Sequence, residues 1–290
     1  MNAPDRLRRL LAEPGLLVPP VVWDGLGARL AEAAGFPMIF QSGACVAAGR
    51  LGGPDLDYIS MSEMASSLEM IRAAAPNTLL LADGDHGFGN AMNVQRTVRT
   101  FARAGASAIL IEDKETPRPL VTPFKTCVPR EEARQRIRAA IAAARETGTL
   151  ILARTDARRG YGLDEALARI SIFVEEGADI VFLDSPADRG EMRQAIAAAR
   201  GVPSFAVLSP APVELTQREA AALGFKMAVT PFGLLEGVVA AMKDGLAALK
   251  KDGKRPGALT SPELQEILGY RDFEREAARL SQIGHSRRHN

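Results

Sequence analysis

Acidic residues recur in this chain at the ends of short apolar runs, where a metal ion or a carboxylate substrate is most easily held. Leu81-Ala82-Asp83-Gly84-Asp85-His86-Gly87 is the densest stretch, and Glu112-Asp113-Lys114, Arg154-Thr155-Asp156 and Asp184-Ser185 repeat the pattern. Carboxylates gathered on one rim repel one another unless a cation neutralises them. Hard oxygen ligands with room for water suit Mg²⁺, with Mn²⁺ as an alternative occupant, over a softer metal. Taken singly, each acid reads equally well as a strand-end or N-cap residue; Asp83, Asp85 and Glu112 together argue for the cation. Arg154, ending Leu150-Ile151-Leu152-Ala153, offers a planar fork that grips a carboxylate through two hydrogen bonds, or an internal ion pair to the same acids. His86 reads as a base, a ligand or a loop histidine bonded to backbone. Gly87-Phe88-Gly89 is followed by no Lys-Ser/Thr, so these glycines read as turn residues beside the acids rather than a phosphate loop.

The elements that must position these residues are short and regular. Eight apolar runs alternate with amphipathic, Ala-rich stretches: 21–23, 38–41, 78–82, 108–111, 150–153, 180–183, 205–208 and 227–229. Each run is short enough for a strand buried on both faces. Helical patterns follow at 26–34, 62–75, 94–104, 130–145, 164–176, 190–200, 216–223 and 234–250. Eight such pairs predict an α/β fold, a (β/α)₈ TIM-type barrel over 1–250, whose active face lies at the strand C-termini. That face would collect Trp23, Ser42, Gly43, Asp83, Asp85, Glu112, Arg154 and Thr230. A doubly wound sheet needs fewer strands and a Gly-rich first turn, which is missing. Residues 251–290 form a polar linker and a helical appendage from Ser261 to about Leu280. Leu264, Ile267, Leu268, Phe273 and Leu280 cannot be buried by that helix alone, so it is expected to pack on its own barrel or on a partner's.

Composition narrows the function classes. With 290 residues and 47% apolar content the chain can build one large core. Lys plus Arg total 36 against 35 for Asp plus Glu, which leaves no field to attract nucleic acid or an anionic membrane. Aromatic content of 5% offers no base-stacking surface. Two cysteines and three histidines, two of the latter in the tail, provide neither a disulfide framework nor a zinc set. The N-terminus is too charged for a secretory segment, and no apolar run could span a bilayer. A cytoplasmic protein is expected, with a small-molecule carboxylate as its partner and neither nucleic acid nor membrane.

At the strand ends the chain resembles the isocitrate lyase/phosphoenolpyruvate mutase superfamily. The pieces are Asp24-Gly25-Leu26-Gly27-Ala28-Arg29, Ser42-Gly43, Pro54-Asp55, Asp83 to Asn90, Glu112-Asp113-Lys114 and Ala153-Arg154-Thr155-Asp156-Ala157. Asp-His-Gly followed by Asn90-Ala91-Met92-Asn93-Val94 and Arg96-Thr97-Val98 is most similar to its oxaloacetate decarboxylase branch. The resemblance implies Mg²⁺ carried or oriented by Asp83 and Asp85, with Glu112 and Asp55 on its water shell. It further implies that Ser42 and Gly43 offer a hydroxyl and an N–H to the substrate and that Arg154 binds its carboxylate; Trp23, Thr230 and Phe232, at or just past strand ends, are expected to line the substrate. A homotetramer, a dimer of helix-swapped dimers, is implied as well. Two features depart from the pattern. The Lys-Lys/Arg-Cys-Gly-His loop of the superfamily's lyases is absent from Lys114 to Val128, where Cys127 before Val-Pro reads as structural. Thr230-Pro231-Phe232 replaces the Asn-Gly-His whose histidine contacts the distal carboxylate in the decarboxylase branch.

These residues predict a Mg²⁺-dependent decarboxylase or carbon–carbon lyase acting on a small 2-oxo or 2-hydroxy dicarboxylate through an enolate. Methylisocitrate-lyase-like cleavage and a phosphonomutase-type rearrangement, with Lys114, Arg118 and Lys125 facing the phosphonate, are the alternatives. A non-catalytic metabolite-binding barrel is the reading from another class.

Overall fold

The computed structural model describes residues 2–119, 125–208, 213–253 and 259–286. Eight strands, β1 (Val21–Val22), β2 (Met38–Gln41), β3 (Leu79–Asp83), β4 (Ala108–Glu112), β5 (Leu150–Thr155), β6 (Ile180–Leu183), β7 (Ser204–Val207) and β8 (Met227–Val229), pair in parallel and in sequence order. Leu17, ahead of β1, donates to Lys226 O and accepts from Ala228 N, both at 2.9 Å, which brings the entry segment beside β8. The result is a nearly closed TIM-type barrel, as the alternating runs predict.

Strand side chains divide by the period of two. Leu80, Ala82, Ile109, Ile111, Ile151 and Ala153 belong to the core shared with the surrounding helices. The intervening residues point into the barrel, where Phe40 of β2 meets Phe205 of β7 at 6.2 Å although the two strands are not neighbours. Around the strands run α1 (Ala3–Ala12), α2 (Gly25–Ala33), α3 (Gly43–Leu51), α4 (Met61–Ala74), α5 (Ala91–Arg103), α6 (Arg130–Thr147), α7 (Ala157–Tyr161), α8 (Leu163–Glu176), α9 (Arg189–Ala198) and α10 (Gln217–Leu223). Ser60 and Glu63 form the capping box that opens α4. The short α3 and α7, inserted directly after β2 and β5, carry too few large apolar residues to show a helical period in the sequence.

The chain divides into two compact units, residues 1–234 and 235–290. The second holds nearly all of α11 (Gly233–Asp252), with α12 (Ser261–Leu268) and α13 (Tyr270–Ser286). The appendage expected as one helix is thus two, because Gly269 adopts φ +81° and ends α12 with a left-handed cap. No helix among the described residues is long and apolar enough to cross a membrane.

Candidate active site

Asp83, Glu112 and Arg154 occupy the last inward-facing positions of β3, β4 and β5, continuing the register of Leu81, Leu110 and Leu152. Polar groups therefore take over from leucines where the barrel opens. Glu112 and Arg154 are ladder partners, and Arg154 Nε lies 3.0 Å from Glu112 Oε2. The same guanidinium reaches Asp156 at 2.6 Å and Asp184 at 3.0 Å, and lies over the Phe182 ring 5.0 Å from its centre. Asp156 is steadied from behind: its backbone N–H donates to Asp113, which also accepts from Thr155 and pairs with buried Arg169 at 3.0 Å.

The Asp83–Gly87 turn depends on close backbone approaches. Gly84 N donates to Leu110 O at 2.9 Å, and a methyl group on Gly84 would lie 2.6 Å from that oxygen. Gly87, at φ +80°, faces Val94, whose Cγ2 would be 2.4 Å from any added methyl. The turn thereby sets Asp85 beside Asp83, with Asp83 Oδ1 accepting from Asp85 N at 3.1 Å. A methyl group built on Gly43 would lie 3.2 Å from Asp83 Oδ2 and 3.4 Å from Asp85 Oδ2, so two carboxylate oxygens face one spot.

Electrostatics at that spot call for a cation. Burial, then the neighbouring Asp85 and Glu112, push the Asp83 carboxyl up to about 7. Asp55, half-buried near Asp85 and Lys114, is raised by burial in the same way. An all-oxygen donor set on a partly open rim fits Mg²⁺, which keeps several waters and takes one or two carboxylates. Among the described residues no three Asp, Glu, His or Cys side chains gather closely enough to hold an ion unaided. The fit is therefore to a hydrated ion on Asp83 and Asp85, not a caged one.

Several expected residues are placed differently. Glu112, expected at the metal, has both oxygens facing cations: Oε1 is 3.0 Å from Lys114 Nζ, and Oε2 is near Arg154 and 3.7 Å from Lys125 Nζ. Burial alone would raise its carboxyl, but Lys114, Lys125 and Arg154 overcome this and hold it well below the usual range. The Gly43 N–H, expected to face substrate, donates to Asp83 Oδ2 at 2.9 Å. Trp23, expected at the substrate, packs its indole against Gly49 of α3, where an added methyl would be 2.7 Å from Cδ1. Ser42 is buried at the α3 N-cap beside Cys45, whose thiol reaches Pro231 O at 3.3 Å. That thiol contact ties α3 to the exit of β8, where Thr230 and Phe232 are exposed. His86 is buried beside Phe88, ring centres 5.4 Å apart, with Nδ1 unpartnered; burial and then Lys114 lower its affinity for a proton.

Two lysines are more deeply involved than their loop positions suggest. Lys114 is only 1% exposed and pairs with Asp57 at 2.9 Å, Glu112 at 3.0 Å and Asp85 at 3.1 Å. Lys125 lies 3.3 Å from Asp156. Asp57 has no distinguishing signal in the sequence, since a loop aspartate beside a proline-containing turn is commonplace. Of the stretch from Lys114 to Val128, residues 120–124 lie outside the described residues. Its flanks pair, Glu115 N donating to Thr126 O at 2.8 Å. Cys127 is buried there, its thiol pushed far above the usual range by burial and then by Asp113 and Asp156.

Comparisons with known proteins relate the whole chain to others in sequence and fold. The family model described as phosphoenolpyruvate phosphomutase matches residues 7–250. The 2,3-dimethylmalate lyase of Eubacterium barkeri is 33% identical over 93% of this chain and 95% of its own length. An oxaloacetate decarboxylase of Rhodopseudomonas palustris (strain BisB5) is 34% identical over 92% and 91% respectively. Among solved structures, oxaloacetate acetylhydrolase with the inhibitor 3,3-difluorooxalacetate superposes with a TM-score of 0.91 at 31% identity, covering 97% of both chains. Phosphonopyruvate hydrolase with oxalate and Mg²⁺ superposes with a TM-score of 0.87 at 30% identity, covering 96% of this chain and 99% of that one.

Proposed function

Since the chain belongs to the phosphoenolpyruvate phosphomutase family, and is an enzyme of the isocitrate lyase/phosphoenolpyruvate mutase superfamily, we propose that it is a Mg²⁺-dependent decarboxylase or carbon–carbon lyase. Its substrate is a small 2-oxo or 2-hydroxy dicarboxylate, as the names of the decarboxylase and lyase relatives suggest. The observation that carries the reading is the convergence of Asp83 and Asp85 oxygens beside Arg154 on one rim. Asp83 and Asp85 would hold Mg²⁺, with Asp55 and Glu112 ordering its surroundings. When bound, the ion acts as a Lewis acid for the negative charge that develops on a 2-oxo acid's enolate. Arg154 keeps 17% of its side chain open and is already oriented by Glu112, Asp156 and Asp184, so it can receive a substrate carboxylate without first being ordered. Phe232 and Thr230 would meet the substrate's distal end, the phenyl ring favouring a less polar or differently shaped group than a free carboxylate.

Two observations favour this over the alternatives. Cys45 and Cys127 are both buried and their thiols are pushed up by burial, which makes them weak acids, and neither stands in the Cys-Gly-His context of the cysteine-dependent lyases. Of the cations a phosphonate would need, Lys114, Arg118 and Lys125, the first is enclosed among three acids with a side-chain exposure of 2%, which leaves it no face toward a ligand. The test is incubation with Mg²⁺ and oxaloacetate while pyruvate is followed, then a panel of 2-oxo and 2-hydroxy dicarboxylates. Turnover above buffer plus Mg²⁺, abolished by EDTA, is expected on at least one of them; none on any would overturn the reading. In the same assay Cys127→Ala is expected to keep its rate within about threefold, as befits a buried thiol held protonated; a loss beyond about a hundredfold would instead favour cysteine acid catalysis.

The assembly belongs to the same proposal. On α11, Val238, Met242, Leu246 and Leu249 recur at helical spacing and are exposed, as is Phe273 of α13. Such a stripe suits burial against a second copy, in a homotetramer whose C-terminal helices are exchanged. Light scattering is expected to report four chain masses; a monomer at micromolar concentration would overturn this.

A further inference from the structure

Asp57 has no part in the chemistry described above, yet its carboxylate is almost wholly buried, with a side-chain exposure of 5%. Its backbone sits at φ +63°, a left-handed conformation that aspartate and asparagine adopt more readily than other side chains. Both carboxylate oxygens are engaged. Oδ2 accepts the Arg118 N–H at 2.9 Å, and Oδ1 lies 2.9 Å from Lys114 Nζ. Lys114 is thus one ammonium shared by three carboxylates, of which Asp85 and Glu112 belong to the acid rim and Asp57 does not. An ammonium and a divalent ion compete for the same carboxylate charge, strongly so where water is largely excluded. Asp57 is fixed by Arg118 and by its own turn, in the connection between α3 and α4, so it takes a share of the ammonium that the two rim acids would otherwise hold between them.

We infer that Asp57 is a positioning residue for the metal site, holding part of the Lys114 charge off Asp85 and Glu112 so that the rim remains able to bind a divalent cation. The inference rests on the metal-dependent reading above, but its test reads binding, not turnover. Mn²⁺ affinity is measured without substrate, by electron paramagnetic resonance or calorimetry, for the parent, Asp57→Asn, Lys114→Met and the double variant. Asparagine tolerates the left-handed φ and keeps an oxygen for the Arg118 N–H, so this change isolates the charge. Asp57→Asn is expected to bind Mn²⁺ about tenfold more weakly, the order expected when one close charge partner is removed in a partly desolvated site. The double variant is expected to bind at least as tightly as the parent, because the ammonium that competes with the ion is gone. A merely structural role for Asp57 would weaken both variants alike. Unchanged affinity in Asp57→Asn, or equal weakening in the double variant, would overturn the inference. A parent that binds no Mn²⁺ would overturn the metal reading and this inference with it, while failure on every substrate alongside normal Mn²⁺ binding would touch only the proposed reaction.

Discussion

Replacing Asp83 by asparagine is expected to lower metal-dependent turnover by about a thousandfold or more, the order seen when a key electrostatic group is lost, while leaving the metal-free barrel at least as stable as the parent. The two effects have one cause. Asp83 Oδ2 faces the spot shared with Asp85, and burial together with Asp85 and Glu112 pushes its carboxyl up to about 7. A carboxyl whose folded-state pKa exceeds its unfolded value of about 3.9 keeps its proton more readily in the native protein. Its contribution to stability is complete below about pH 4 and is lost as pH rises toward 7, a loss of the order of a few kcal/mol. The metal-free parent should therefore lose stability across that window from this group, and added Mg²⁺ should restore more of it at pH 7 than at pH 5. Asp156, also pushed up to about 7 by burial, keeps its own part of the slope in the variant. Thermal melts from pH 5 to 8 with and without Mg²⁺, paired with turnover, check both statements. An Asp83→Asn protein still stabilised and activated by Mg²⁺ would sink the assignment.

Arg154 gives the second large effect, and here alanine and lysine should behave differently. Arg154→Ala leaves Glu112, Asp156 and Asp184 without their shared cation in a buried rim. Breaking a buried pair by removing one partner costs about 3–5 kcal/mol, so marked destabilisation is expected in a urea titration. Arg154→Lys keeps one charge but cannot make the bidentate contact to Asp156 or span all three acids. It should fold with a smaller loss, yet lower kcat/KM by about a hundredfold or more because the substrate carboxylate loses its planar partner. If Arg154→Lys retained full kcat/KM, the arginine would be an internal ion pair only.

The role of Lys114 shows where sequence reading stops. In the chain it looks like the first residue of a loop, available to a phosphonate; in the fold it is a fully enclosed ammonium with three acidic partners. Asp57 was illegible for the same reason, since its partners lie 57 and 61 positions away in the sequence and its positive φ leaves no trace in residue type. Trp23 shows the same limit: its strand-end position suggested the substrate, and only the structure shows that its ring also packs against Gly49, on a helix the sequence did not reveal.

The barrel itself was written locally. Eight buried runs and their intervening helices are matters of period and turn chemistry, so strand order, the inward register of Asp83, Glu112 and Arg154, and the rim on which they gather follow from the sequence. The glycines of the Asp83–Gly87 turn were visible too, although only the structure shows that Leu110 O and Val94 leave no room for a methyl. Tertiary structure alone decided how the rim's charges are divided. Glu112 faces three cations, the Gly43 N–H goes to Asp83, Lys114 takes Asp85 Oδ1, and the Oδ2 atoms of Asp83 and Asp85 are left facing one spot, where the ion is proposed. Pairing of charges depends on distances between side chains from different strands and on the water excluded around them, and neither quantity is carried by residue type or spacing.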